Sequence, residues 1–285
     1  MEKRKSSVGY LIFGASGFLG SRLFDELQKN NKQICLGTNS KNLINSENKI
    51  LRNYHDLNDL ELEKVVSEYE VIIDASGIST NNTGFLLKNY IERNAIWPFR
   101  LAKACIRAKS RLIWISTIHA EKYDNNSLIE FDKYSFSKFT GELMIKNIKN
   151  WENNILIIRL GNVIGSPGKI YNGSYNLFAL DIANNLVKNK KAFIKNKQDK
   201  FIRTSSFFDF IKLIKNQNNG YHSCLTISRH KLTDIAFRLN HFHQLLTNTQ
   251  SNIYFNNQIF ENKKNSISNE LDIDMKDLIN YFLKL

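Results

Sequence analysis

The sequence predicts an α/β protein built on a doubly wound parallel sheet, with a smaller lobe towards the C-terminal end. Three observations support this prediction. Short apolar runs suited to buried strands alternate with stretches whose apolar residues recur at helical spacing. A glycine-rich turn, Gly14–Gly20, directly follows the first apolar run, Val8–Phe13. After about residue 168 the patterns become shorter and richer in asparagine and lysine, which indicates a second structural unit.

The turn after the first strand carries a glycine at every third position, at Gly14, Gly17 and Gly20. A strand, a glycine-rich turn and a helix in succession are typical of a Rossmann-type dinucleotide-binding unit. Gly14 allows a sharp turn, Gly17 lets the backbone approach a pyrophosphate, and Gly20 lets the helix pack closely against the strand. Free N–H groups at the helix start favour the pyrophosphate. A glycine turn in a different βαβ unit is the alternative that this motif alone leaves open. The residues of this turn that we assign to cofactor binding are Gly14, Ser16, Gly17, Phe18, Leu19 and Gly20.

The second predicted strand, Gln33–Leu36, ends without a carboxylate. An acidic residue there would bind the ribose 2′-hydroxyl of NAD and repel the 2′-phosphate of NADP. Hydroxyl, amide and ammonium groups follow instead, on Thr38, Asn39, Ser40 and Lys41. The sequence therefore favours NADP over NAD, and a polar loop without a role in specificity is the alternative.

A short third strand is predicted at Ile50–Tyr54, followed by Asp56 and Leu57 and then by a helix over Asn58–Glu68. An acidic and an apolar residue at this point are suited to flank an adenine ring.

The fourth strand is predicted at Val71–Ala75 and is followed by Ser76 and Gly77. Ligands of open parallel sheets bind beyond the carboxyl ends of the strands, where small side chains leave room for a cofactor. The polar loop that comes next, Ile78–Gly84, contains Ser79, a candidate substrate contact.

One long helix is predicted over Leu86–Ala108, with Asn94 inside it, and the fifth strand follows at Arg111–Ile115. Ser116 and Thr117 come directly after this strand, so their hydroxyls lie at the edge of the sheet where chemistry takes place. A structural role for these hydroxyls is the alternative.

Tyr134 and Lys138 are four residues apart at the start of a predicted helix and therefore share one helix face. A free tyrosine has a pKa of about 10. A nearby ammonium favours the phenolate, so we expect Lys138 to lower the pKa of Tyr134 towards the range useful for acid/base catalysis. Lys138 is also suited to hold the hydroxyls of the nicotinamide ribose. A solvent-exposed pair without catalytic function is the alternative.

The sixth strand, Ile155–Leu160, leads into a cluster of glycine and proline that marks the end of the first domain. We place the dinucleotide-binding domain at residues 1–165 and the substrate-binding lobe at residues 166–285. A segment near residues 205–230 is expected to return to the first domain, with Leu225–Ser228 as its strand.

The composition is that of a globular protein, with 42% hydrophobic and 24% charged residues in a chain of 285. The net charge of +13 is spread along the chain, and a positive field attracts a phosphate-bearing substrate as readily as nucleic acid. No apolar run approaches membrane-spanning length, and the first residues lack the apolar core of a signal peptide. The cysteines, Cys35, Cys105 and Cys224, do not have metal-ligand spacing. We expect a cytoplasmic protein with reduced, buried cysteines and without metal, nucleic-acid or membrane partners.

The motifs occur in the order Gly14–Gly20, Ser116-Thr117, Tyr134-x-x-x-Lys138 and Arg159–Gly165. In this combination the sequence resembles the extended short-chain dehydrogenase/reductase family, which contains NAD(P)-dependent nucleotide-sugar epimerases, dehydratases and reductases. The resemblance covers residues 8 to about 230 and is strongest before residue 168. It implies an NAD(P)-dependent enzyme with a nucleotide-sugar substrate.

Carried across residue by residue, the resemblance implies three catalytic residues. Thr117 matches the catalytic hydroxyl, Tyr134 the acid/base and Lys138 its partner, and the latter two also contact the cofactor. The cofactor contacts beyond the glycine turn are Thr38, Asn39, Ser40, Asp56, Leu57, Ala75, Ser76, Gly77, Asn94 and Ser116. The candidate substrate contacts are Ser79, His119, Asn162 and Arg203, and Arg203 resembles a contact of the nucleotide diphosphate.

Departures from the family pattern narrow the activity. The 4,6-dehydratases carry Asp-Glu after the catalytic threonine, whereas Ile118 and His119 follow Thr117 here. No cysteine stands where the 3,5-epimerising reductases have one. What remains is NAD(P)H-dependent reduction of a nucleotide-linked keto-sugar, in surface-polysaccharide or deoxysugar biosynthesis, or 4-epimerisation through a transient keto-sugar. The chain is short for a 4-epimerase and its substrate-binding lobe is small, and both features favour the reductase.

Three alternatives to the reductase stay open. The first is a nucleotide-sugar 4-epimerase with tightly bound NAD. The second is a non-catalytic NADP-binding regulatory or scaffold protein, because a fold does not determine a function. The third, an RNA-binding relative, is suggested only by the net charge. In each case the long helices around residues 86–108 and 134–148 offer a face for a homodimer.

Overall fold

The computed structural model of the chain describes residues 9–29, 33–40, 48–79, 84–124, 131–194, 199–215, 219–223, 227–255, 258–259 and 269–285. The chain divides into two compact units. The first unit comprises residues 1–160, 168–173 and 216–224, and the second comprises residues 161–167, 174–215 and 225–285.

The strands of the described residues are β1 (Tyr10–Phe13), β2 (Ile34–Gly37), β3 (Lys49–Leu51), β4 (Val71–Asp74), β5 (Arg111–Thr117), β6 (Ile155–Leu160), β7 (Asn162–Val163), β8 (Lys191–Ile194), β9 (Phe201–Ser205), β10 (Gly220–Ser223), β11 (Ile227–Lys231), β12 (Asn252–Phe255) and β13 (Gln258–Ile259). The α-helices are α1 (Phe18–Gln28), α2 (Asp59–Ser67), α3 (Leu87–Ile91), α4 (Trp97–Ala108), α5 (Lys133–Lys146), α6 (Phe178–Asn189), α7 (Phe207–Lys215), α8 (Leu232–Thr247) and α9 (Asn269–Leu283).

One parallel sheet organises the first unit. Its strand order is β10-β6-β5-β4-β1-β2-β3, and all neighbouring strands pair in parallel. The chain therefore winds outwards in both directions from β1, and the predicted doubly wound sheet is confirmed. The inner strands are mostly apolar because helices cover both faces of such a sheet. Leu11, Ile12 and Phe13 of β1, for example, are completely buried.

The predicted helix over Leu86–Ala108 is formed by α3, a π-helical turn at Glu92–Ile96, and α4. A π-helical turn widens a helix locally and is frequent at functional sites. Asn94 lies in this turn and is completely buried.

The second unit contains two sheets of three strands, in the orders β11-β9-β7 and β13-β12-β8. The sequence-based placement of the returning strand at Leu225–Ser228 is wrong. The strand that joins the large sheet is β10, which pairs with β6, whereas Ile227 and Ser228 belong to β11 and pair with β9. Leu225 and Thr226 lie outside the described residues. Because β10 is an edge strand, it does not need the apolar pattern by which buried strands are recognised.

Cys35 and Cys105 are free and buried, and Cys224 lies outside the described residues. In the part of the chain that the structure describes, no helix is both long and apolar enough to cross a membrane.

Candidate active site

The glycine turn has the geometry that brings a helix start close to a strand end. Gly14 has a φ of +73°, and its carbonyl accepts a hydrogen bond from the Gly17 N–H at 2.9 Å. A Cβ on Gly20 would lie only 2.1 Å from the Gly14 carbonyl oxygen, so α1 packs against the turn without room for a side chain. Gly17 caps α1 without a side chain, which leaves the first N–H groups of the helix available to a pyrophosphate. This cradle fits a dinucleotide.

The end of β2 is held by a network of hydroxyl groups. The hydroxyls of Ser16 and Thr38 are 2.8 Å apart, and the Ser40 N–H donates to the Thr38 hydroxyl at 3.1 Å. The Asn39 side chain accepts a hydrogen bond from the Asn53 N–H at 3.1 Å. The polar residues assigned to cofactor binding from the sequence therefore lie together beside the glycine turn. Lys41 lies outside the described residues.

Arg52 is a residue of this corner that the sequence analysis did not find. Its guanidinium donates to the carbonyl oxygen of Ser40, and its side chain is exposed. The parallel register of Gly37 with Leu51 brings the residue after β3 beside the end of β2. The sequence analysis placed Arg52 inside the third strand, predicted at Ile50–Tyr54, whereas the observed strand ends at Leu51 and Arg52 directly follows it.

The segment 168–173 also belongs to the first unit and lies against the glycine turn. The Asn172 N–H donates to the Ser16 carbonyl at 3.0 Å, and the Asn172 side-chain amide donates to the Ser40 hydroxyl. The Gly168 N–H donates to the Ser21 hydroxyl at 3.0 Å, and a Cβ on Gly168 would be 2.1 Å from the Ser21 carbonyl oxygen. The boundary expected at residue 165 therefore differs from the structure, which returns this short segment to the first unit.

Asp56 and Leu57, assigned to the adenine, follow β3 at the carboxyl edge of the sheet. Asp56 is exposed and Leu57 is half-buried. The turn that contains Asp56 is anchored in the core by Tyr54. The centroid of the Tyr54 ring lies 4.8 Å from that of Phe13 and 5.3 Å from that of Trp97.

The tip of β4 approaches the π-helical turn closely. Gly77 has a φ of +130°, and a Cβ there would be 2.5 Å from Oδ1 of Asn94. The Asn94 side chain accepts from the Ile78 N–H and donates to the Ile78 carbonyl, both at 2.9 Å, and also donates to the Ser137 hydroxyl at 3.0 Å. Asn94 therefore fixes the backbone beyond Ala75 and Ser76 and ties it to α5.

Thr117, Tyr134 and Lys138 come together at the carboxyl end of β5. Thr117 is buried, Tyr134 is half-buried, and hydrogen bonding joins their hydroxyls. The ammonium of Lys138 donates to the Ile115 carbonyl at 2.8 Å and lies 5.1 Å from the centroid of the Trp114 ring. The side chain of Asp132 caps α5 by accepting from the Tyr134 N–H at 3.1 Å, which fixes the start of the helix.

The pKa of Tyr134 shifts in the direction opposite to the one expected from the sequence. Burial raises the pKa of Tyr134, hydrogen bonding with Thr117 opposes this rise, and the carboxylate of Asp132 adds to it. Burial lowers the pKa of Lys138 to about 8, against the attraction of Asp74 and Glu142. The expectation that Lys138 lowers the pKa of Tyr134 is therefore wrong for the chain by itself, because desolvation dominates both groups.

Ser116 is buried, and its hydroxyl donates to Glu142 at 2.5 Å. Glu142 is also paired with Arg159, whose guanidinium donates to it at 2.6–3.1 Å and binds Asp124 on its other side. Glu142 and Arg159 are each 1% exposed, so this network joins β5, α5 and β6 beneath the site. The sequence analysis did not identify Glu142 or Asp124.

The candidate substrate contacts fall into two pairs. Ser79 and His119 are exposed in the first unit, and the His119 N–H donates to the Thr117 hydroxyl at 3.3 Å. Asn162 and Arg203 are neighbours in the second unit, where the Asn162 amide donates to the Arg203 carbonyl at 3.0 Å.

A parallel sheet of this topology, with a tyrosine and a lysine one helical turn apart near the carboxyl end of its fifth strand, is typical of one class of enzyme, the NAD(P)-dependent short-chain dehydrogenases/reductases. The statistical model of the NAD dependent epimerase/dehydratase family matches residues 10–200, more than half of the chain. The chain belongs to this family, whose members are enzymes of the extended type that the sequence resembles.

Solved structures share the fold at low sequence identity. UDP-glucose 4-epimerase from Thermotoga maritima, with UDP-glucose bound, is 14% identical, with a TM-score of 0.73 over 97% of this chain and 99% of that chain. TunA, an NAD dependent NDP-hexosamine 5,6-dehydratase of tunicamycin biosynthesis, is 14% identical, with a TM-score of 0.70 over 98% of both chains. WbmG from Bordetella bronchiseptica, in complex with NAD and UDP, is 16% identical, with a TM-score of 0.65 over 86% of this chain and 80% of that chain. No curated protein matches the sequence.

The match to the epimerase corrects one argument from the sequence. The chain is not short for a 4-epimerase, since it spans 99% of the Thermotoga maritima enzyme. Length therefore does not separate a reductase from an epimerase.

Proposed function

We propose that this protein is a reductase of nucleotide-linked keto-sugars that uses NADPH. The observation that carries the proposal is the hydrogen bonding between the Thr117 and Tyr134 side chains at the carboxyl end of β5, where the buried ammonium of Lys138 binds the Ile115 carbonyl. A bound nicotinamide supplies the hydride in such a site. Tyr134 donates a proton to the oxygen of the substrate carbonyl as it becomes an alkoxide, and Thr117 holds that oxygen by a second hydrogen bond. Lys138 is proposed to hold the hydroxyls of the nicotinamide ribose from the same end of β5.

The residues after Thr117 favour reduction over the elimination of water. Ile118 is completely buried in the core, and the exposed residue beside the site is His119. A dehydratase needs a further acid/base pair on the substrate, and no carboxylate stands at these two positions. Reduction needs one proton, delivered to the carbonyl oxygen as the carbon receives the hydride, and Tyr134 alone is sufficient to supply it.

NADP is the proposed cofactor because the corner of β2 and β3 suits a phosphate. The family is NAD-dependent in the broad sense, and the finer preference depends on the side chains at the adenosine ribose. Thr38, Asn39 and Ser40 provide hydroxyl and amide groups without a carboxylate, and the guanidinium of Arg52 lies against Ser40. A guanidinium is the side chain best suited to a phosphate group. A reductase consumes NADPH, whereas an epimerase regenerates its cofactor. A site suited to NADP therefore favours a reductase.

The direct test is to follow NADPH absorbance while the protein is incubated with a panel of nucleotide-linked keto-sugars. We expect oxidation of NADPH with at least one of them. Tyr134→Phe should lower kcat by about 10²-fold or more, in line with the usual contribution of a general acid. Tyr254→Phe, which removes a hydroxyl from β12 in the second unit, is the matched control and should retain activity. Near-normal turnover of a folded Tyr134→Phe variant would exclude the assignment.

A 4-epimerase is the second candidate, favoured by the match over nearly the whole Thermotoga maritima enzyme. An epimerase returns the hydride to its substrate, so it would change the sugar without net consumption of NADPH. It would also copurify with bound NAD, which the absorbance spectrum of the purified protein would reveal. A binder of NADP that turns over neither class of sugar would support the regulatory or scaffold alternative.

The second unit is proposed to bind the nucleotide half of the substrate, through Asn162 and Arg203. The epimerase and WbmG structures hold UDP-glucose and UDP, respectively, which supports a nucleoside diphosphate as the shared part of the substrate. We place the reaction in the cytoplasm, where NADPH and nucleotide-linked sugars are found, and in the synthesis of surface polysaccharides or deoxysugars.

A homodimer through α4 and α5 is also proposed. These helices line a surface cavity of about 510 Å³ that includes Phe99, Leu143, Met144 and Ile148. Leu143 is 46% exposed and adjoins the other three apolar side chains, and a contiguous exposed apolar surface is typical of a protein–protein contact. Leu143→Lys should convert the dimer to a monomer in light scattering, whereas Leu245→Lys, at an exposed position of α8, should not.

A further inference from the structure

Asp74 is a buried carboxylate at the carboxyl end of β4, inside the candidate site. Its side chain is 1% exposed. The sequence analysis placed this residue in the fourth strand and gave it no role. Burying a charged group is costly unless the group is paired and hydrogen-bonded. A carboxylate at this position therefore indicates a role that an apolar residue of the same strand could not provide.

The neutral partners of Asp74 lie in its own loop. Its Oδ1 accepts hydrogen bonds from the Ser76 N–H at 3.0 Å and from the Ser76 hydroxyl at 2.5 Å. These bonds fix the orientation of the carboxylate but do not balance its charge.

Lys138 approaches the same corner of the sheet from α5. Asp74 is the register partner of Trp114, and the Lys138 ammonium lies 5.1 Å from the centroid of the Trp114 ring. The same ammonium lies 3.6 Å from the position that a Cβ on Gly77 would take. The strand end and the lysine therefore bring a carboxyl and an amine to one dry location. Burial raises the pKa of Asp74 and lowers that of Lys138, and the attraction between the two groups opposes both shifts.

The other titratable groups near this pair do not replace either partner. Glu142 also attracts Lys138, but its carboxylate is already paired with Arg159 at 2.6 Å. Tyr54 and Cys105 face Asp74, and burial raises the pKa of both, so they remain neutral. Asp74 is thus the nearby carboxylate whose charge is not balanced by Arg159.

We propose that Asp74 is a positioning residue that acts through Lys138, as the buried counter-charge that keeps the ammonium charged and oriented in the active site. The proposal rests on the proposed function for its effect on turnover, but the pairing itself is a property of the folded chain. An opposite charge within about 4–6 Å favours the charged form of an ionisable group by about 1–3 pKa units. Without Asp74, a fall of about one unit from a pKa of about 8 would leave about half of the Lys138 side chains charged at pH 7, and a larger fall would leave fewer.

The first test measures the pKa of Lys138 directly by NMR of ¹³Cε-labelled lysine, with the signal assigned by its absence in Lys138→Met. We expect a pKa of about 8 in the unsubstituted protein. Asp74→Asn, which keeps the size and one oxygen acceptor, should lower it by about one unit or more. Asp59→Asn, which removes a carboxylate that binds Arg100 on the surface, is the matched control and should leave it unchanged.

Two further variants keep the proposal testable if Asp74→Asn does not fold. Asp74→Leu replaces the buried carboxylate by an apolar side chain of similar size and should lower the lysine pKa in the same way. Lys138→Met tests the pair from the other side, because coupling free energies are reciprocal. It should raise the pKa of Asp74, followed by its ¹³Cγ signal, by the same number of units. Unchanged pKa values in these folded variants would overturn the proposal.

The second test is the pH dependence of kcat. In Asp74→Asn the alkaline fall in kcat should move to lower pH by the same interval as the pKa of Lys138. A purely structural role would lower kcat equally at every pH, and that outcome would also overturn the proposal. The NMR titrations need neither cofactor nor substrate, so failure of the proposed reductase activity would leave them decisive.

Discussion

Gly20→Ala should loosen the contact between the first helix and the glycine turn. A Cβ at this position would lie 2.1 Å from the Gly14 carbonyl oxygen and 2.9 Å from the Ala15 Cα. Both neighbours are backbone atoms, so no change of rotamer relieves the clash, and α1 must withdraw by roughly 1 Å to reach an ordinary contact. Overpacking of this kind costs about 1–3 kcal/mol, and the better helix propensity of alanine returns up to about 1 kcal/mol. We expect a net loss of about 1 kcal/mol in the free energy of unfolding.

The displaced helix start should also weaken cofactor binding by about tenfold or more, since about 1.4 kcal/mol corresponds to a factor of ten. Urea denaturation measures the stability, and quenching of protein fluorescence by NADPH measures the affinity. Gly84→Ala is the matched control, because no heavy atom lies within 4 Å of a Cβ at that position. It should be neutral or stabilising by about 0.4–1 kcal/mol. A Gly20→Ala variant with the stability and affinity of the parent protein would refute the packing argument.

The remaining predictions concern charge. Arg159→Met leaves Glu142 buried without its partner and should cost about 3–5 kcal/mol in urea denaturation, whereas the additional substitution Glu142→Gln should recover part of that loss. Arg52→Ala should weaken binding of NADPH but not of NADH in fluorescence titrations, with Lys49→Ala as control; equal weakening of both would argue against a phosphate contact. Burial and the charges of Arg93 and Arg100 lower the pKa of His55 to about 3, below its ordinary value of 6.5. Between pH 6.5 and 3 the unfolded chain therefore binds a proton at His55 that the folded chain does not. The free energy of unfolding should decrease as the pH is lowered from 6.5 to 3, and His55→Gln should make this decrease smaller.

The dinucleotide fold was predictable because its signals are local. The glycine spacing at Gly14, Gly17 and Gly20 and the apolar run of β1 each occupy a few consecutive residues. The positive φ of Gly14 and the close approach at Gly20 follow from the same short motif. The edge strand β10 was misplaced because pairing with one neighbour places little demand on its composition.

The positions of the proposed catalytic residues were predictable to the same extent. Tyr134 and Lys138 share a helix face by the geometry of the α-helix alone, and Thr117 ends a strand that its apolar pattern identifies. The direction of the Tyr134 pKa was not predictable, because it depends on how much water the folded chain removes from the phenol, and burial outweighs the nearby charges.

The sequence by itself thus determined the order of strands and helices from β1 to β6, the dinucleotide turn and the spacing of the tyrosine and lysine. Only the tertiary structure decided that Arg52 lies against Ser40, that Asn172 reaches the glycine turn, and that Asp74 shares a buried corner with Lys138. These residues are far apart along the chain, and no periodic pattern connects them. Their contacts arise from the parallel register of neighbouring strands and from the packing of α5 on the sheet, which are set by the burial of the whole core rather than by any short segment.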